Sequence, residues 1–75
     1  MKPTTSKARM VKVHGLSKLR VLRQRKGLSL GQLATMTGMR RDTIAHLESG
    51  REEPQPYQIR LLAYVLEVST LSLVS

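Results

Sequence analysis

The side chains in this sequence best placed to make directed contacts fall close together: Arg40, Arg41, Asp42, Ala45, His46 and Ser49. Their chemistry is recognition rather than catalysis. Arg41 can donate two hydrogen bonds to O6 and N7 of guanine in a DNA major groove. A phosphate contact is its other use. Arg40, its neighbour, suits a phosphate. Asp42 has two readings. It accepts from N4 of cytosine, or it stabilises a helix N-terminus and holds Arg41. His46 follows Asp42 by four residues, on the same helical face, with Ala45 beside it. A solvated surface histidine is the plainer reading of His46. With no Cys and no second His nearby, it makes a poor metal ligand. The chain has five acids, two distant histidines and no cysteine, which gives no credible catalytic pair. An enzyme is the least favoured class, and no cofactor, metal or small-molecule ligand is expected.

A helix must carry these residues, and the spacing predicts one over 41–49. Ile44 and Leu47, three apart, share its inner face, and Gly50 stops it. A preceding helix is predicted from Ser29. Ser29 and Gln32 form a capping-box pattern at its start. Leu33 and Met36 share a face within it, with Ala34 alongside. Gly38 ends it, because glycine takes the left-handed conformation without a Cβ penalty. Two short helices crossing steeply need a small residue at the crossing, and Ala34 supplies it. A turn of about 3–4 residues containing glycine joins such a pair. Ala34, Gly38, Ile44 and Leu47 are thus the structural frame of a helix-turn-helix, and the face opposite Ile44 and Leu47 is its reading face.

The flanks add a resemblance. Leu19-Arg20-x-Leu22-Arg23-x-x-Lys26-Gly27-Leu28-Ser29 leads in, and Leu47-Glu48-Ser49-Gly50-Arg51 with Pro54 leads out. With these, the chain resembles the XRE-type helix-turn-helix family, the phage repressor and Cro group, over about residues 16–74. The resemblance implies an all-α, compact bundle of five helices. It also implies that Arg23 pairs with Glu48 as a structural ion pair that holds the arginine near a phosphate. His46 matches a position that contacts a base or phosphate. Further phosphate contacts are expected from Arg40, Gln32, Ser29, Ser49 and Arg51. Three departures stand out. Arg40 holds the place of a small capping residue. Leu30 and Gly31 hold the place of a side-chain phosphate contact, for which Gln32 substitutes. Glu52 and Glu53 put two acids in a loop that usually lies near phosphate; either they point away or they weaken non-specific binding.

Charge agrees with a polyanionic partner. The chain carries a net +8 in 75 residues. Lys2, Lys7, Arg9, Lys12, Lys18, Arg20, Arg23, Arg25 and Lys26 all precede the first acid, Asp42. A one-sided basic field favours DNA or RNA over an anionic membrane. No apolar run approaches the roughly 18–20 residues of a membrane span, and no apolar leader follows the first residues. With Phe, Trp and Cys absent, the core must be Leu, Ile, Val and Met.

Seventy-five residues allow one domain. Residues 1–15 read as a basic mobile arm that tracks phosphates or merely solubilises, with a short strand at Met10, Val11 and Val13 as a lesser alternative. Residues 16–75 read as the domain. Leu16, Leu19 and Leu22 predict a first helix over 17–26, with Ser17 as cap candidate. Pro56 suits the first turn of a fourth helix running to about Leu66. Its apolar stripe is broad, with Leu61 and Val65 beside Ile59 and Leu62. Glu67 stands where a glycine stop is usual, so a weak stop is expected. Residues 70–74 fit a fifth helix or, by the alternation of Leu71 and Leu73, a strand. Leu71, Leu73 and Val74 are expected to form a dimer contact.

The leading functional expectation is a sequence-specific double-stranded DNA-binding regulator, a repressor acting as a homodimer on a palindromic operator. It would work in the cytoplasm at the nucleoid of a prokaryotic or phage-infected cell. The alternative is an antitoxin that binds a protein toxin and its own promoter. A protein–protein adaptor on the same fold is a third class, against which Arg40 and Arg41 argue.

Overall fold

The computed structural model describes residues 15–74. Among them the chain forms five helices and no strand: α1 Leu19–Arg25, α2 Leu30–Thr37, α3 Arg41–Ser49, α4 Pro56–Leu66 and α5 Thr70–Val74. The fold is all-α, as the spacing predicts, and residues 70–74 are helical. Of the arm expected over residues 1–15, residues 1–14, with the alternative strand, lie outside the described residues, and Gly15 is buried.

Local signals fix most of the ends. Ser29 Oγ accepts from the Gln32 amide at 3.0 Å, and Gln32 Oε1 accepts from the Ser29 amide at 2.8 Å, so α2 starts in a capping box. Gly38 and Gly50, at φ 74° and 83°, end α2 and α3. At α1 the expectation is corrected. The helix starts at Leu19, with Lys18 rather than Ser17 in the capping position and no side-chain bond there. Leu16 is buried ahead of the helix, not within it. At α4, Gln58 Oε1 accepts from the Gln55 amide at 2.8 Å, a cap that the sequence reading missed.

The stop after α4 is also firmer than expected. Glu67 takes the left-handed conformation, φ 60° and ψ 44°, which a side chain disfavours. The turn is closed by Val68, whose amide donates to the Ala63 carbonyl at 3.0 Å. Lys26 Nζ meets Glu67 Oε1 at 2.5 Å, which ties this turn to the end of α1. The hydrogen bond from Lys26, and then its charge, hold the Glu67 carboxyl below the usual carboxylate range.

The core is built from Leu16, Leu19, Leu33, Ile44, Leu47, Leu62, Ala63, Leu66 and Leu73. Leu22, Leu28, Leu30, Ala34, Met39, Ile59, Val65 and Val68 pack around it. Met36 does not join its predicted partner Leu33. Leu33 is fully buried, while Met36 is 53% exposed. At about 100° per residue, the inward stripe centres among Leu30, Leu33, Ala34 and Thr37, and Met36 lies roughly 110° from that centre.

Leu73 is a second correction. It is 1% exposed and belongs to the monomer's own core, so it is not available as a dimer contact. The physical reason is that α5 folds back on α4. Its Leu73 then faces inward while Leu71 and Val74 face out. Leu73→Glu is expected to remove the cooperative melting transition, because an unpaired carboxylate is buried, at a cost above about 4 kcal/mol. Val74→Glu should cost less than about 1 kcal/mol. Thermal melts of the two variants check this; equal melting points would place Leu73 outside the core.

Gly15 packs against the end of α3. It is buried, and the Leu16 amide donates to the Leu47 carbonyl at 2.7 Å. A Cβ at Gly15 would overlap that carbonyl oxygen and lie 2.8 Å from Gly50 Cα, so the chain has room here only for glycine.

Candidate nucleic-acid interface

The turn between α2 and α3 is shaped by Thr37. Its hydroxyl donates to the Leu33 carbonyl at 2.9 Å and accepts from the Met39 amide at 3.2 Å. Met39 is drawn against the core, and Arg40 follows in extended conformation as the capping residue of α3 without a side-chain cap. The expectation that Arg40 cannot cap therefore holds. Ile44 and Leu47, both at 0% exposure, plug α3 into the core and fix its rotation. That rotation leaves Arg41, Asp42 and Ser49 exposed, with Ala45 and His46 half-buried between them. Arg40 and Arg51 are exposed at the two ends of the helix.

Behind α3 stands the ion pair. Glu48 has a side chain only 2% exposed, and it meets Arg23 Nε at 2.6 Å and Nη2 at 3.2 Å. Arg20 Nε approaches the same carboxylate at 3.3 Å. Arg23 Nη1 donates to the Leu28 carbonyl at 2.8 Å. The hydrogen bond to Glu48 raises the Arg23 pKa further, against the desolvation that lowers it, so the group stays charged. Arg23 is thus a frame residue. With its donors turned inward and its side chain 10% exposed, it is withdrawn from the phosphate contact expected of it.

The start of α2 presents its first-turn amides, which have no partner within the helix. Gln32 engages its oxygen in the cap, and its side-chain amide nitrogen is a donor at the same helix start. Of the two acids, Glu52 turns its Oε1 back to within 3.6 Å of His46 Nδ1. Thr43 and Tyr57, which the sequence reading did not single out, stand near Arg40. Both line a shallow cleft of about 280 Å³ with Arg40, beside the start of α3. Tyr57 is 54% exposed at the first turn of α4, and as one of two aromatic residues in the chain it was the available signal.

A buried frame that holds a polar helix outward, preceded by a helix whose start a capping box fixes, defines a helix-turn-helix DNA-binding regulator. The chain belongs to the helix-turn-helix domain family, whose model matches residues 17–73. Among solved structures, it is similar to the restriction-modification controller protein C.AhdI from Aeromonas hydrophila. The two are 33% identical over 88% of this chain and 97% of that one, with a TM-score of 0.74. It is also similar to an HTH_3 family transcriptional regulator from Vibrio cholerae, at 30% identity over 85% of this chain and 36% of that one, TM-score 0.74. The clp gene regulator ClgR from C. glutamicum is 26% identical over 76% of this chain and 74% of that one, TM-score 0.71. No curated protein matches the sequence.

Proposed function

We propose that the chain is a sequence-specific repressor that binds a palindromic operator as a homodimer through α3. The observation that carries the reading is the rotation of α3: Ile44 and Leu47 are fully buried, and Arg41, Asp42, Ala45 and His46 are turned out together. The similar proteins, a controller protein, a gene regulator and a transcriptional regulator, favour this reading over an antitoxin. Arg41 is the guanine-reading residue, and Asp42, Ala45 and His46 complete the base contacts. Arg40, Arg51, Ser29, Gln32 and Ser49 engage phosphates. One helix reads too few base pairs for useful specificity, and two half-sites about 34 Å apart remedy that. The exposed Leu71 and Val74 of α5 are the dimer contact that remains once Leu73 is assigned to the core. The reading carries with it a cytoplasmic location, at the nucleoid of a prokaryotic or phage-infected cell.

The test is a gel-shift against DNA upstream of the chain's own gene, repeated across salt concentrations. Affinity is expected to fall with a logarithmic slope of about −0.9 per phosphate neutralised. Arg41→Ala should relax the preference at one base pair per half-site by about ten- to a hundredfold and leave other positions alone. Arg51→Ala should weaken all duplexes alike and reduce the slope by about one. Salt-independent retention, or no retention of any duplex, would end the proposal.

A further inference from the structure

Gly50 reverses the chain directly after α3. The His46 carbonyl accepts from the Gly50 amide and, at 2.9 Å, from the Arg51 amide, a closed C-terminal turn. Ser49 Oγ adds a bond to the same carbonyl at 3.3 Å. The turn carries Glu52 back over the helix it has just left, and Glu52 Oε1 comes to 3.6 Å from His46 Nδ1. Both side chains are under half exposed, 42% for His46 and 44% for Glu52. The ring thus has a carboxylate near one nitrogen, at 3.6 Å from Nδ1, while Nε2 is the ring nitrogen farther from Cβ. Asp42 lies one turn earlier on the same helix, and Arg51 stands between Glu52 and the helix end.

A neutral imidazole carries its proton on one nitrogen and a lone pair on the other. A carboxylate beside Nδ1 attracts an N–H there and repels a lone pair. Resting on the DNA-reading role proposed for His46, we propose that Glu52 is a positioning residue for base specificity. It holds the neutral ring with the proton on Nδ1 and offers Nε2 to the groove as an acceptor. In the major groove, an acceptor selects the exocyclic amines, N6 of adenine and N4 of cytosine, and rejects O6 and N7 of guanine and O4 of thymine. The acid that looks misplaced beside DNA thereby sets what its neighbour reads.

The experiment has two readouts at one pH at which the ring is neutral. Nitrogen-15 spectra of the free, full chain locate the ring proton in the wild type and in Glu52→Gln. Selection from a pool of randomised duplexes gives base preferences for the wild type, Glu52→Gln and His46→Ala. The expected result is a proton on Nδ1 in the wild type, with population moving to Nε2–H in Glu52→Gln. One position per half-site should then favour adenine or cytosine by about tenfold, the worth of one hydrogen bond. Both variants should lose that preference and keep those at other positions. A wild-type proton on Nε2, a guanine or thymine preference at the position His46 controls, or a Glu52→Gln variant that keeps both tautomer and preference would overturn the inference. If no duplex is enriched by any of the three proteins, the DNA-reading role falls and takes this inference with it. That outcome is distinct from a failure confined to one position.

Discussion

Ile44→Asp is expected to give a chain with no cooperative melting transition. Ile44 is fully buried, in the core that joins α2 to α3. Two costs add at this site. Loss of the apolar side chain removes about 2–5 kcal/mol, as for other large-to-small core changes. The carboxylate must then be buried unpaired or take up a proton, which costs several kcal/mol more. A domain of this size has about 5 kcal/mol in all, the low end of the usual range. Ile44→Val is the control. It should cost about 0.5–1.5 kcal/mol and melt normally. Circular dichroism melts of both variants decide the matter: an Ile44→Asp chain with wild-type cooperativity would mean that α3 does not pack by this face.

Glu48→Ala is the second large effect, expected to cost about 3 kcal/mol. Removing Glu48 strands the charge of Arg23 in a place that water barely reaches. Breaking a buried pair costs about 3–5 kcal/mol, and the low end applies because Arg23 keeps its bond to the Leu28 carbonyl when Glu48 is removed. The pair itself is worth far less than its breakage, since two charges had to be desolvated to form it. Glu48→Leu combined with Arg23→Met should therefore recover most of the loss. Urea unfolding of the two single variants and the double variant tests this. Singles costing under about 1 kcal/mol would show a pair that behaves as exposed.

The helix-turn-helix was legible because its signals are local. Ser29 and Gln32 cap each other three residues apart, Gly38 and Gly50 take left-handed turns, and Ile44 and Leu47 share a face by spacing alone. The misses are of another kind. Five residues of α5 are too few to show a period, so the inward turn of Leu73 depended on how α5 folds back on α4. The fate of Arg23 depended on the Leu28 carbonyl, and that of Glu67 on Lys26, 41 positions away. For the candidate interface, residue types and face were readable from the spacing of α3. The approach of Glu52 to His46 was not, because it follows from the direction the chain takes after Gly50.

The seat of Gly15 has a mechanical consequence. Gly15 and Leu16 lie at the last turn of α3, stitched there by the bond from Leu16 to Leu47 and pressed against Gly50. A pull applied at Gly15 is therefore delivered to α3, the helix proposed to read DNA, not to a remote face of the bundle. A load taken up at Gly15 has α3 as its lever.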